Sequence, residues 1–258
     1  MKIAILKALV VAAYLGMLYM NYLANARPLN NRMTGEVSDA YPTLFTPTGL
    51  TFSIWGIIYV MLGIYVGITI FTPTSSFIQP YQTTVMILFI VSSLFNLSWL
   101  VLWHYDYIFL STIVMILLLI SLGIGLMIIP TSEPLIKSSF SIYFAWICVA
   151  LIANVTILLV KVQFNGFGIN SMYWLIAILI VGVVISLFVL FKTHDILFGL
   201  VFIWAYFGIL VKHMTATGWD RQYPAAILTL IIALVLMTLF TSYTFYINQF
   251  HLYQLDAN

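Results

Sequence analysis

Hydrophobic positions in this chain fall into long blocks rather than short alternating runs. A block of about 20 apolar residues crosses the hydrocarbon core of a bilayer as a helix. Eight such blocks are legible, at 3–25, 49–71, 83–103, 108–129, 139–161, 171–191, 196–213 and 224–247. Helices are expected because lipid offers no water to an unpaired backbone group. The breaks carry turn chemistry: "TPTSSFIQPYQ" (72–82), "PTSEP" (130–134) and "NGFGIN" (165–170). "KTHD" (192–195) and "GWDRQYP" (218–224) carry much of the remaining charge. The longest connection, 26–48, is expected to be a loop, and long loops in compact bundles are more often functional than idle. The first block has a basic start like a leader sequence. Its apolar run exceeds a leader's core and no small-x-small site follows, so it is expected to be the first span.

Composition sharpens this picture. Of 258 residues 64% are hydrophobic and 6% charged, and the mean hydropathy is +1.13. A soluble domain carries about 25% charged residues, so this chain reads as an all-α polytopic membrane protein. A formal charge of +2 without any basic tract gives no reason to expect nucleic acid as a partner. The single cysteine, Cys148, excludes an internal disulfide, and no Cys/His spacing suggests a metal site. With eight spans, Lys2, Lys7, Lys137 and Lys192 share the side of the termini. Arg27, Arg32, Lys161, Lys212 and Arg221 lie on the other side. The positive-inside rule then places the termini outside and the 26–48 connection inside. Apart from Lys7, the spans lack internal charge. Ion-coupled transporters usually place ionisable groups there, so that class is disfavoured.

What the spans do carry is aromatic rings and amides at helical spacing. Phe52, Trp55 and Tyr59 follow at i, i+3 and i+7, as do Asn96, Trp99 and Trp103, while Trp146, Ala150 and Asn154 step by four. Each set is one helix face. An amide in lipid is costly unless bonded, so Asn96 and Asn154 are expected to point into the bundle. Ala150 leaves either a gap or room for a close helix contact. Packing and pocket wall both remain open for Trp55, Trp99 and Trp146, since an indole suits either use. Trp103 and Trp174, near helix ends, read as interfacial anchors. His104, His194, His213 and His251 read as interfacial residues rather than haem ligands. Before the second span, Pro42 and Pro47 keep the chain extended. Gly49 suits close backbone approach, and Thr48 and Thr51 suit helix capping.

These residues carry a family resemblance. Pro47-Thr48-Gly49-Leu50-Thr51-Phe52, followed by Trp55 and Tyr59, resembles the opening of the second helix in the TspO/MBR family. These are the tryptophan-rich sensory proteins that include the mitochondrial translocator protein. Asn96 and Trp99 match the family's third helix, and Tyr143, Trp146, Ala150 and Asn154 its fifth. Thr48, Leu50 and Ile142 stand where the family has proline, tryptophan and proline. The matching residues lie within about 1–160.

The resemblance implies a five-helix TspO-like core at 1–161 and a three-helix extension with a short tail at 162–258. It implies an integral membrane receptor, sensor or carrier for a planar hydrophobic ligand, such as a porphyrin or haem-type tetrapyrrole or a sterol-like lipid. Alternatives are a transporter of small hydrophobic molecules and a porphyrin-degrading enzyme, for which no acid/base pair is in view. No cofactor is implied as required. Membrane lipid and the ligand are the implied partners, and a bacterial cell membrane the implied location. A homodimer is one candidate assembly, and the added helices would either cover a flank of the core or replace the dimer contact of shorter members. The implied ligand residues are Phe52, Trp55, Tyr59, Asn96, Trp99, Tyr143, Trp146, Ala150 and Asn154. The 26–48 connection, with Arg27, Arg32, Tyr41 and Pro47, would act as a lid.

Overall fold

A computed structural model describes residues 2–27, 29–76 and 79–254. Parts of the expected connections 26–48 and 72–82, and the end of the tail, lie outside the described residues. Among those described, the helices are α1 (Lys2–Ala26), α2 (Thr34–Asp39), α3 (Ile54–Phe71), α4 (Pro80–His104) and α5 (Ile108–Ile128). They continue with α6 (Pro134–Lys161), α7 (Ser171–Thr193), α8 (Ile196–Met214) and α9 (Pro224–Ile247), and no strand is present among them. All except α2 are long and apolar enough to cross a bilayer. The chain is an all-α polytopic membrane protein with the eight expected spans.

Three expectations are corrected. The 26–48 connection is not a bare loop, because it holds a 3-10 turn at Leu29–Asn31 and the helix α2. The second span begins with a 3-10 turn, Gly49–Ser53, and becomes α-helical only at Ile54. α6 begins at Pro134 rather than 139, as proline tolerates the first helical position, where an N–H has no partner anyway.

Charged side chains close helix ends. Lys7 donates to the carbonyls of Ile70 (3.2 Å) and Thr72 at the end of α3. Lys137 donates to Leu126 (3.3 Å) and Ile129 (2.8 Å) at the end of α5. A cation suits a helix C-terminus, where carbonyls are unpaired and the dipole is negative. At the other polarity, Asp195 accepts from Leu197 N (3.1 Å) and Phe198 N (3.3 Å) at the start of α8.

The helices form two compact units. One comprises the chain up to Ala40 together with Trp55–Ile147. In it, α4 packs against α1, α2 and α5. α3 is held by Tyr14, whose hydroxyl donates to Tyr59 O (2.9 Å), and by Ser139, which donates to Met61 O (2.7 Å). Tyr65, Phe89 and Phe140 cluster beside them at 5.0–6.5 Å. Ser92, Ser93, Ser111, Thr112 and Ser121 return their hydroxyls to carbonyls three or four residues back. That keeps small polar groups satisfied inside apolar helices.

The other unit comprises Tyr41–Ile54 and the chain from Cys148 onwards. Here α8 packs against both α7 and α9. Phe198, Phe202 and Tyr206 stack along one buried face of α8. The Tyr206 hydroxyl donates to Leu179 O (2.7 Å) on α7, over Gly182. The segment 44–53 lies on α8 through three bonds. Thr48 N donates to Gly208 O (3.2 Å), Trp204 Nε1 to Thr51 O (2.9 Å) and His213 Nε2 to Leu44 O (2.9 Å).

This arrangement reassigns two more expectations. The Thr48 hydroxyl meets the Thr51 hydroxyl (3.2 Å) and caps no backbone N–H. Gly49 faces open space, and the glycine that close approach demands is Gly208. A Cβ there would stand 1.9 Å from Thr51 Oγ1. Gly208→Val is therefore expected to destabilise the protein by about 1–3 kcal/mol through overpacking. Its melting temperature in detergent should fall by several degrees, while Gly67→Ala, where a Cβ meets nothing, should melt close to wild type.

Candidate ligand-binding site

The site is built in the first unit, on three helices that each turn a ring-bearing face to the others. On α3, Trp55 and Tyr59 stand one turn apart and stack at 5.6 Å and 20°. On α4, Trp99 and Trp103 do the same at 5.8 Å and 29°. The two pairs join through Trp55 and Trp99, at 6.4 Å and 25°. The result is a ladder of four nearly parallel rings, Tyr59–Trp55–Trp99–Trp103. From α6, Tyr143 (5.9 Å, 65°) and Trp146 (6.4 Å, 86°) meet Trp55 edge-on and wall the ladder. Offset-stacked and edge-to-face pairs are the geometries that ring quadrupoles favour.

Polar atoms converge on the same place. Asn96 is fully buried on α4, and its Oδ1 accepts from Asn21 Nδ2 (3.2 Å) of α1. Asn21 also donates to Met17 O (2.9 Å). The Asn96 amide nitrogen and the Tyr59 and Tyr143 hydroxyls are buried without a hydrogen-bond partner. The Tyr143 hydroxyl lies beside the Asn96 side chain without closing a bond of normal geometry, and Tyr59 lies near Tyr143. An unmade hydrogen bond of this kind costs about 1–3 kcal/mol. Native structures hold few such groups, and each calls for an explanation.

The connection after α1 covers one end of the ladder. Trp103 Nε1 donates to Thr34 O (3.2 Å), and Asn30 Nδ2 donates to His104 O (2.9 Å). His104 Nδ1 contacts Leu100 O (2.7 Å), which can only accept, so this nitrogen carries the proton. Its Nε2 is then the acceptor for the Thr34 hydroxyl (3.4 Å). α2 is seated on the end of α4 by these contacts.

The expected residues divide between the units. Trp55, Tyr59, Asn96, Trp99, Tyr143 and Trp146 come together in the first. Phe52, Ala150 and Asn154 belong to the second, Phe52 half-buried in the 3-10 turn and Asn154 buried on α6. Of the expected lid residues, Arg27 and Arg32 are exposed in the first unit. Pro47 is buried in the second, where Lys161 sits 5.8 Å from the Tyr41 ring.

Trp103 and His104 are not interfacial anchors. Both are buried, because the 29–39 segment folds over them. His213 is buried as well, through its bond to Leu44. Trp174 is half-buried and donates to Gly166 O (3.0 Å). The sequence reading passed over Asn21, Tyr14 and Thr34. Asn21 was detectable, being an amide inside a span just as Asn96 is.

Comparison with known families gives one match. The family model described as TSPO-like protein covers residues 7–243, so it takes in α7, α8 and almost all of α9, well beyond the 1–160 that carried the resemblance. No curated protein and no solved structure matches.

The unpartnered hydroxyl gives a direct test. Tyr143→Phe keeps the ring and removes a group with no partner, so the variant should melt at or above the wild-type temperature. Tyr206→Phe removes an equally buried but bonded hydroxyl, and should cost about 1 kcal/mol, read as a lower melting temperature.

Proposed function

The chain belongs to the TSPO-like protein family, and from that premise we propose that it binds a planar hydrophobic ligand at the ring ladder. The family and the eight apolar helices make it an integral membrane protein of a ligand-binding or transport class. The finer reading is a receptor, sensor or carrier for a porphyrin or haem-type tetrapyrrole, in a bacterial cell membrane.

The observation that carries this reading is the joint presence of a stacked aromatic wall and three buried polar atoms without partners. Ligand sites are mostly apolar, with a few convergent polar groups that fix orientation. A flat macrocycle offers a face for Trp55 and Trp99 to stack on, with Trp146 meeting it edge-on. Its ring nitrogens or carbonyl substituents would give Tyr59 Oη, Asn96 Nδ2 and Tyr143 Oη the partners they lack. Arg27 and Arg32, exposed on the connection after α1, would pair with propionates at the ligand's edge. Phe52, Ala150 and Asn154 enter this reading through the resemblance.

Titration with protoporphyrin IX, followed by tryptophan quenching, tests it. Wild type should quench saturably. Tyr143→Phe, which removes one hydrogen bond to the ligand, should bind about three- to tenfold more weakly. Trp146→Phe should also bind more weakly. Quenching that stays linear with porphyrin concentration in wild type would remove the tetrapyrrole reading. Flux into vesicles then separates carrier from receptor.

A further inference from the structure

The second unit contains a cavity of its own, about 370 Å³ in volume. It lies where the end of α6, the start of α7, the 164–171 connection and the 219–223 turn meet the segment 42–45. Phe45, Phe164, Trp174, Trp219 and Tyr223 supply its aromatic surface, and none of the lining residues is charged.

The walls are fixed by specific bonds. His213 Nε2 contacts Leu44 O, an acceptor, so this nitrogen carries the proton and holds the 42–45 wall in place (2.9 Å). The His213 ring packs against Trp219 (6.4 Å) and Tyr223 (5.9 Å), which meet each other edge-on at 5.6 Å. Trp219 is aimed by a tight turn, in which Trp219 N donates to Lys212 O (2.9 Å) and Arg221 N to His213 O (2.9 Å). Gly218 makes that turn feasible, since a Cβ there would stand 1.9 Å from Lys212 O.

Within this fixed frame, three polar side chains of the lining bond to the protein. Trp174 Nε1 bonds Gly166 O (3.0 Å), the Thr156 hydroxyl bonds Ala153 O (2.7 Å) and the Thr43 hydroxyl bonds that of Thr46 (2.7 Å). Trp219 Nε1 is different. It is buried and has no hydrogen-bond partner among the described residues. An indole nitrogen is a donor only, so what it lacks is an acceptor.

We propose that this cavity is a second ligand site, for a small neutral molecule of one or two rings whose single carbonyl or ether oxygen accepts from Trp219 Nε1. The size argument is direct, because about 370 Å³ lies at the low end of the roughly 300–1,000 Å³ of ligand sites. Its uncharged lining gives a propionate-bearing macrocycle no counter-ion, so this site selects a different ligand from the ring ladder. The aromatic walls favour a ring over a flexible acyl chain, since a rigid ring loses little conformational freedom on binding.

Benzophenone, with two rings and one carbonyl, serves as both ligand and photolabel. Purified protein in detergent is irradiated over a concentration series, and the labelled peptides are identified by mass spectrometry. The site predicts saturable labelling in the 42–45, 164–178 and 219–223 segments. Trp219→Phe keeps the ring but loses the donor, and should raise the half-saturating concentration about three- to tenfold. Ile169→Trp, at an exposed lining position, should block the cavity and abolish that labelling without shifting the melting temperature. Tyr143→Phe should leave it unchanged, which separates this site from the ladder whatever protoporphyrin does there. Labelling that never saturates and spreads over lipid-facing helix surfaces would overturn the proposal. So would saturable labelling that Trp219→Phe and Ile169→Trp both leave intact.

Discussion

Lipid supplies no hydrogen bonds, and nearly every local choice in this protein answers that constraint. Serine and threonine hydroxyls fold back onto their own helices. Two lysines are spent on helix ends rather than left in the core. Tyr14, Ser139, Trp204 and Tyr206 each reach from one segment to a carbonyl of another. Such bonds also set the packing, since each fixes the height at which two helices meet. Small residues then allow the approach, as Gly63 does beneath Tyr14 and Gly182 beneath Tyr206.

Against that background the exceptions gain meaning. Tyr59, Asn96 and Tyr143 keep unsatisfied atoms within one aromatic enclosure, although the surrounding helices show how readily a hydroxyl can be paired. Stability alone would favour phenylalanine and leucine at these positions. Three such atoms gathered on one enclosure concentrate that cost locally, and it is the cost that the proposed ligand would relieve.

The spans were legible because a block of apolar residues has few alternatives to a membrane helix. The ladder was legible in part for a similar reason. Period 3.6 puts Trp55 with Tyr59, and Asn96 with Trp99, whichever neighbours they meet. What periodicity cannot supply is the partner. Trp103 and His104 read as interfacial because they end a helix, and only the fold of 29–39 over them makes them buried. Gly49 looked like the close-contact glycine beside the motif, yet the contact belongs to Gly208, some 160 residues later in the chain. Tertiary approach between distant segments leaves no trace in a local pattern. Asn21 is another matter, since the cost of an amide in lipid was visible at that position too.

The chain has seven tryptophans, and their distribution has an optical consequence. Trp55, Trp99, Trp103 and Trp146 are coupled through contacts of 5.8–6.4 Å. Excitation absorbed by any of these four can migrate to the others before it is emitted. One contact with a quencher therefore darkens all four together. Intrinsic fluorescence from this enclosure therefore responds to a bound quencher as one reporter rather than four.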